Sequence, residues 1–111
     1  MIIFSSINDK STGSMTLKLC GHAGAAERGR DIVCASASIL AYTLAEAVCR
    51  AYEKGKLKRK PTIRLNEGDI LVTARPKGSE YDELKTIYKT IEGGYELLMR
   101  DYPQNITSDK A

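Results

Sequence analysis

The sequence is poor in the residues that metal centres and disulfide frameworks need. Its 111 residues include one histidine and three cysteines, and no two cysteines form a Cys-x-x-Cys pair. An odd number of thiols argues against a disulfide framework, and one imidazole with scattered thiols gives no zinc-ligand spacing. The sequence therefore predicts no metal site. It also predicts free thiols, which are typical of a reducing cytoplasm.

Long apolar runs and charge of one sign are also scarce. No uninterrupted apolar stretch approaches the ~20 residues that span a bilayer. The N-terminal segment MIIFSSINDK lacks the basic start and long apolar core of a secretory signal. The net charge of +3 is too mild to imply nucleic-acid binding, and we interpret the basic run KLKRKP as a solvated connector rather than an RNA contact. We expect a cytoplasmic protein with no membrane partner and no direct nucleic-acid partner.

Hydrophobic periodicity predicts the order strand, strand, helix, strand, strand, helix. Alternating apolar residues and turn residues predict two hairpins, and three- and four-residue spacings predict two helices. The predicted elements are strands over 2–7 and 15–20, a helix over 32–54, strands over 62–66 and 70–75, and a helix that ends near 102. Short loops favour antiparallel pairing. We therefore expect one α+β domain over residues 1–111, a four-stranded, mostly antiparallel sheet packed with two helices, and a flexible tail over about 104–111.

The second helix carries a strict apolar seam that is rich in tyrosine. Its members are Tyr81, Leu84, Tyr88, Ile91, Tyr95, Leu98 and Tyr102. The seam is typical of helix packing, and its tyrosines are also suited to a dimer contact. Gly93 and Gly94 interrupt the helix and indicate the close approach of another backbone, either the sheet or a second subunit.

The stretch GHAGAAERGRDIVCASAS places the chain's histidine and a cysteine on either side of a loop. With Asp31 as N-cap, Cys34 is the third helical residue, where free N–H groups and the helix dipole lower the pKa of a thiol. His22 could then pair with the thiolate, and the N–H groups that open the helix could form an oxyanion hole. Asp31 could instead orient the imidazole. Ser38 lies one turn after Cys34 and could orient the substrate or the dyad.

The same residues also have ordinary interpretations. Cysteine is commonly a small core residue, and aspartate at a helix start is commonly a cap. A redox sensor would use Cys20 and Cys34, and it requires their Cα atoms within about 7 Å. Cys49, beside Val48 in the first helix, is predicted to be packed.

The motif GHA at 21–23, followed by G-x-DIVCA at 29–35 and by Ser38, resembles the signature of the bacterial ribosomal-processing cysteine proteases, the Prp family. The resemblance implies a Cys–His dyad in which His22 is the general base and Cys34 the nucleophile. Asp31 and Ser38 match the family's other polar motif positions. The resemblance also implies a loop that closes over substrate, and we assign to this flexible loop Gly21, Ala23, Gly24 and Gly29.

The substrate that the resemblance implies is the precursor of the twenty-seventh protein of the large ribosomal subunit, cut after phenylalanine to remove an N-terminal extension. It also implies a homodimer. Acyl transfer of this kind needs no cofactor and no metal. Three alternatives stay open: a phage capsid- or scaffold-processing peptidase of the same family, a non-catalytic ribosome-associated binding module, and the redox sensor.

Overall fold

A computed structural model describes residues 1–21 and 28–109, with residues 28–31 described by their backbone. The strands and helices follow one another in the predicted order, and one further strand comes after the second helix. The elements are β1 (Ile2–Asp9), β2 (Ser14–Cys20), α1 (Arg28–Glu53), β3 (Thr62–Asn66), β4 (Asp69–Ala74), a 3₁₀ turn (Gly78–Glu80), α2 (Tyr81–Asp101) and β5 (Ile106–Ser108).

The five strands form one sheet in the order β3-β4-β2-β1-β5. All neighbours are antiparallel except β1 and β5, which are parallel. Both helices pack on the face that carries the buried residues Leu17 and Leu19, and the opposite face leaves Ile3 and Ile7 exposed. The predicted α+β class and mostly antiparallel sheet are confirmed, and the sheet has five strands rather than four.

The additional strand corrects the prediction of a flexible tail. Ile106 is 1% exposed, and its segment pairs with the start of β1. The Ile2 N–H donates to the Asn105 carbonyl at 2.9 Å, and the Asp109 N–H donates to the Phe4 carbonyl at 3.1 Å. One buried isoleucine with backbone pairing on both sides orders this segment, although its sequence reads as turn residues. Lys110 and Ala111 lie outside the described residues.

The tyrosine seam of α2 lies in the core of the molecule. Tyr88 and Tyr95 are 1% and 0% exposed. The Tyr88 hydroxyl donates to the Val72 carbonyl at 3.0 Å, and the Tyr95 hydroxyl donates to the Ala37 carbonyl of α1 at 2.8 Å. Burial raises the pKa of both phenols well above the ordinary value. These two tyrosines therefore pack inside the subunit and are not available for the dimer contact considered from the sequence.

The paired glycines of α2 differ in their surroundings. A Cβ built on Gly94 would lie 2.6 Å from the Leu40 side chain of α1, whereas one built on Gly93 meets no described atom within 4 Å. Within the described residues, the backbone of the sheet that the sequence predicts near this pair is not there; the close neighbour is a side chain of α1, at Gly94 alone.

Helix α1 is longer at its N-terminus than predicted. It begins at Arg28, so Asp31 lies in its first turn and is not the N-cap. The physical reason is local: Arg28 and Arg30 are good helix formers, and an acidic residue is as favourable in the first turn as at the cap. Gly29, assigned to the flexible loop, also has helical backbone.

Helix α1 is long and apolar enough over Ile32–Glu53 to cross a membrane by length and composition. In the fold it is a core helix whose inner face is buried by Val33, Ala37, Ala41, Leu44, Ala45, Val48 and Ala51. The sequence spacing predicts one buried stripe of Val33, Ala37, Leu40, Leu44, Val48 and Tyr52. This stripe fails at Tyr52, which is 44% exposed. Repeated four-residue steps rotate about 40° each around the helix, and Ala51 takes the buried position instead.

The basic connector lies at the end of the sheet opposite to the start of α1. Leu57 is 5% exposed and bridges to Pro76. The Lys56 ammonium donates to both carboxylate oxygens of Glu83, at 2.8 and 3.0 Å. One apolar residue and one ion pair therefore fasten the connector, and Lys58, Arg59 and Lys60 are exposed, in agreement with the solvated interpretation.

Candidate active site

The end of β2 is held in place one residue before His22. Gly21 has φ +92°, and its N–H donates to the Gly68 carbonyl at 3.0 Å. A Cβ at this position would lie 2.5 Å from the Met1 carbonyl oxygen. Only glycine combines this backbone conformation with so close an approach. Gly21, assigned to the flexible loop from its sequence, is therefore a fixed point from which the chain leaves the sheet toward His22.

A cleft of about 280 Å³ opens between α1 and the turn that joins β3 to β4. Helix α1 contributes Cys34 and Ser38 to its wall, and the turn contributes Gly68. Cys34 and Ser38 are both half-buried, so the Cys34 thiol is accessible to a peptide that binds from solvent. The structure thus brings together two of the four polar residues that the motif predicts.

The other motif residues fall at or beyond the limit of the description. His22, Ala23 and Gly24 lie outside the described residues, and so does the loop predicted to close over substrate. Asp31 is placed by its backbone in the first turn of α1. The pairing of His22 with Cys34 therefore stays a prediction.

The position of Cys34 in α1 corrects one part of the predicted chemistry. Because the helix begins at Arg28, Cys34 lies in its second turn. Its N–H is an intrahelical donor there, and the free N–H groups of the helix are those of residues 28–31. The dipole effect falls off within the first turn. Activation of the thiol by the helix start, and an oxyanion hole beside it from N–H groups 32–34, therefore lose their basis.

The turn of α1 that carries Cys34 is tied to the opposite helix. The Tyr95 hydroxyl bonds the carbonyl of Ala37, which is one residue before Ser38. The Tyr95 ring stacks on Phe4 of β1 with 4.6 Å between ring centroids. This turn of α1 is therefore held against both α2 and the sheet.

The three thiols are free and lie apart by element and face. Cys20 follows the buried Leu19 in β2, so its side chain points to the face of the sheet opposite to the helices. Cys34 lies on the helical side. The Cys20 side chain therefore points away from the helix that carries Cys34, and this disfavours the redox alternative. Cys49 is exposed rather than packed.

The ionic groups at the mouth of the cleft are largely paired. The Arg64 guanidinium donates to both carboxylate oxygens of Asp69, each at 3.2 Å.

Within residues 1–21 and 28–109, no cluster of three or more histidine, cysteine and acidic side chains could hold a metal ion.

Sequence reasoning did not find the other walls of the cleft. Tyr42 lies two turns after Cys34, and Leu19 and Ile70 are paired across β2 and β4. Ile2 and Ala37 complete the apolar part. The Cys34, Ser38, Tyr42 spacing places all three on one face of α1, which was the available signal. The contribution of Ile70 depends on strand register and has no local signal.

Comparisons with known proteins agree with the resemblance that the GHA and DIVCA segments carry. The family model described as Cysteine protease Prp matches residues 1–107. The ribosomal processing protease Prp from S. aureus, solved with a substrate peptide, is 24% identical over 98% of both chains with a TM-score of 0.72. The same protein with a covalently linked product peptide is 25% identical over 97% of both chains, with a TM-score of 0.70.

A structure from Streptococcus mutans is 23% identical and covers 97% of this chain and 91% of its own, with a TM-score of 0.68. No curated protein matches. The family model extends over nearly the whole sequence, and the GHA and DIVCA segments lie within it. By this match the chain belongs to the cysteine protease Prp family.

Proposed function

We propose that this cysteine protease removes the N-terminal extension of the precursor of the twenty-seventh large-subunit ribosomal protein, cutting after phenylalanine. The observation that carries the proposal is the cleft, in which the half-buried Cys34 lies beside an apolar floor. The family's S. aureus member was solved with a substrate peptide and with a covalently linked product peptide.

The proposed reaction is acyl transfer through Cys34. His22 takes the proton from the Cys34 thiol, and the Sγ thiolate attacks the carbonyl carbon of the scissile bond. The tetrahedral intermediate collapses as the imidazolium protonates the leaving amine, which leaves a thioester on Cys34. Water, deprotonated by His22, then attacks the thioester. The Cys34 thiolate leaves and regains a proton from the imidazolium, and the N-terminal extension is released as a carboxylic acid. Asp31 and Ser38 are assigned to orienting the dyad and the substrate, and no cofactor takes part.

We further propose that the protease acts in the cytoplasm as a homodimer. The three free thiols agree with a reducing compartment. Large apolar side chains on the outer side of α1 offer a surface for a second copy, since Ile32 is 52% and Ile39 is 60% exposed. Sedimentation of the purified chain measures the assembly, and Ile39→Glu is expected to shift it toward the monomer.

The test of the proposed function is a cleavage assay followed by mass spectrometry. The purified chain is mixed with a peptide that spans the extension of the ribosomal protein from the same organism. We expect one cut after phenylalanine, lost in Cys34→Ala and in His22→Ala. The matched control is Cys49→Ala, which removes an exposed thiol from the same helix and is expected to cut normally.

The remaining outcomes separate the alternatives. A cut that persists in Cys34→Ala would exclude this nucleophile. No cut of the ribosomal peptide, together with a cut of a phage capsid precursor, would reassign the substrate. Ribosome binding that survives Cys34→Ala, with neither peptide cut, would favour a non-catalytic module.

A further inference from the structure

We propose that the end of the molecule opposite to the Cys34 cleft carries a docking surface for the phosphate backbone of RNA. This surface, the basic patch, is formed by Lys58, Arg59, Lys60, Arg75 and Lys77. The charge and geometry of the patch point to a polyanion. The choice of RNA rests on the proposed function, because an enzyme that processes a ribosomal protein works beside RNA.

The basic patch exists only in the folded chain, because two short segments meet edge to edge. Leu57 bridges to Pro76 in antiparallel orientation, and the Lys58 N–H donates to the Arg75 carbonyl at 2.8 Å. Lys58 and Arg75 therefore lie opposite each other on one face, with their Cβ atoms about 5 Å apart. The sequence shows only the basic run of the connector. The fold adds the cations that follow β4, Arg75 and Lys77.

The charges of the basic patch are not compensated within the subunit. Like charges directly opposite each other destabilise a pair of strands. The carboxylates of Glu80 and Glu83 border the patch, and Lys56 engages both, at 4.0 and 2.8 Å. Within residues 1–21 and 28–109, none of the five patch residues forms an ion pair. An arrangement that costs stability and has no partner inside the subunit indicates a partner outside it.

Arg75 is held in place without using its hydrogen-bond donors. The residue is half-buried, and its Nε is buried with no hydrogen-bond partner among the described residues. Its two terminal nitrogens also form no hydrogen bond in that part of the chain, but they are not sealed from solvent. Packing therefore fixes the stem of the side chain and leaves its outer donors open. A guanidinium fixed in this way loses little entropy when it binds phosphate oxygens.

The basic patch offers charge without an apolar centre. The apolar residues within 56–60 and 75–77 are Leu57 and Pro76, and both are buried. Interfaces between proteins are enriched in aromatic residues and depleted in lysine, and helices that bind membrane surfaces insert apolar side chains. A nucleic-acid backbone is bound mainly by lysine and arginine through its phosphates. The composition of the patch therefore favours RNA over an acidic protein or an anionic membrane.

The basic patch and the cleft lie far apart, so they can work independently. Strand β4 runs from Asp69, which lines the cleft, to Ala74, which precedes Arg75. Helix α1 rises about 30 Å from Cys34 to its end at Glu53. An RNA bound at the patch therefore leaves the cleft open to a peptide.

The test is the binding of a fluorescent RNA duplex to the full chain, measured by anisotropy at about 50–200 mM salt. Five phosphate contacts predict that the logarithm of the association constant falls with the logarithm of the salt concentration with a slope of about −4. The expected Kd near physiological salt is roughly 10⁻⁴–10⁻⁶ M, the range of binding that does not depend on sequence.

Two double variants remove charge from the basic patch by independent routes. Arg59→Gln with Lys60→Gln changes only exposed residues of the connector. Lys58→Gln with Arg75→Gln removes the opposed pair. Each double variant is expected to weaken RNA binding about tenfold or more and to reduce the magnitude of the salt slope by about 2. Both are expected to keep the rate of peptide cleavage, and unfolding curves show that they are folded.

The matched control removes two charges from α2, outside the basic patch. Lys89→Gln with Arg100→Gln changes side chains that are 60% and 70% exposed. It lowers the net charge as much as each patch variant does. It is expected to keep the affinity for RNA within about twofold and to keep the salt slope.

Four outcomes would each overturn the basic patch as an RNA surface. They are no RNA binding at the lowest salt concentration, a salt slope near zero, an equal loss of affinity in the α2 control, and tighter binding of polyglutamate, of a DNA duplex or of phosphatidylserine vesicles. RNA binding as expected, with no cut of the ribosomal peptide, would refute the proposed function and leave the patch. A cut peptide with no RNA binding would refute the patch and leave the proposed function.

Discussion

The two helices share one face of the sheet but use different residues to hold their places. Helix α2 fills the core with large aromatic rings whose hydroxyls are hydrogen-bonded, as Tyr88 and Tyr95 show. Helix α1 buries mostly alanine, leucine and valine and leaves Cys34 and Ser38 half-exposed. The comparison teaches that large side chains and their hydrogen bonds are concentrated in α2. Helix α1, which carries Cys34, is held on its buried side and keeps small side chains beside the cleft.

The largest expected effect comes from removing the central ring of α2. Tyr95→Ala deletes a fully buried side chain, its stacking on Phe4 and its bond to Ala37. Truncation of a buried aromatic residue costs about 3–5 kcal/mol. Denaturant unfolding measures the loss. Tyr52→Ala, which truncates a 44% exposed tyrosine of α1, is expected to change stability by about 0.5 kcal/mol or less. Equal costs for the two would contradict the anchoring role of α2.

The next effect separates the two glycines at the contact between the helices. Gly93→Ala adds a methyl group to open space and is expected to stabilise α2 by about 0.5–1 kcal/mol. Gly94→Ala places a Cβ 2.6 Å from the end of the half-buried Leu40 side chain, which must move aside, so we expect this variant to be about 1 kcal/mol less stable than Gly93→Ala. Thermal unfolding of both variants gives the difference. If the Gly94 variant is as stable as the Gly93 variant, the helices are not closely packed there.

Alkaline pH is expected to loosen the same anchor. Burial raises the pKa of Tyr88 and Tyr95 above 10, so above pH 10 the unfolded chain has lost both protons while the folded chain keeps them. Stability therefore falls as pH rises above 10, by about 1.4 kcal/mol per pH unit for each phenol. Unfolding curves at several alkaline pH values give the slope of the unfolding free energy against pH. The slope of the wild-type chain is expected to exceed that of Tyr95→Phe by the contribution of one proton. Identical slopes would mean that Tyr95 titrates normally.

A small effect on stability is expected at Cys34, where the expected effect on activity is the largest. Cys34 is half-buried at the edge of the core, so Cys34→Ala is expected to change the free energy of unfolding by about 1 kcal/mol or less. The same substitution is expected to lower peptide cleavage by about 10⁴-fold or more. Parallel unfolding and cleavage assays test the pair of values. A large loss of stability would assign Cys34 to the core and remove the contrast between the helices.

Most of the fold could be read from local pattern, and the misses have physical causes. The alternation of Met15, Leu17 and Leu19 predicted β2, and the same residues are buried. The strand β5 was missed because three residues pairing in parallel with a strand at the other end of the chain leave no periodic signal. The start of α1 was misplaced because Asp31 is compatible with a cap and with a first turn alike.

The candidate site could be predicted only in part, because contacts between distant segments leave no local pattern in the sequence. The resemblance singled out Cys34 and Ser38, and the structure places both in one cleft. The floor under them comes from β1, β2 and β4, and residues such as Ile70 become neighbours of Cys34 only when the strands are in register. Local sequence could therefore indicate the nucleophile but not what surrounds it.

The bond from the Tyr95 hydroxyl to the Ala37 carbonyl also has a consequence for the timing of synthesis. Its two residues are 58 positions apart along the chain. A ribosome adds about 5–20 residues per second, so α1 is complete for several seconds before Tyr95 exists to fasten it. During that interval the chain already contains its thiol but lacks the contact that holds the thiol's helical turn in place. The contact that fixes this turn of α1 can therefore form only after translation has passed α2, so the helical turn is fastened late in the synthesis of the chain.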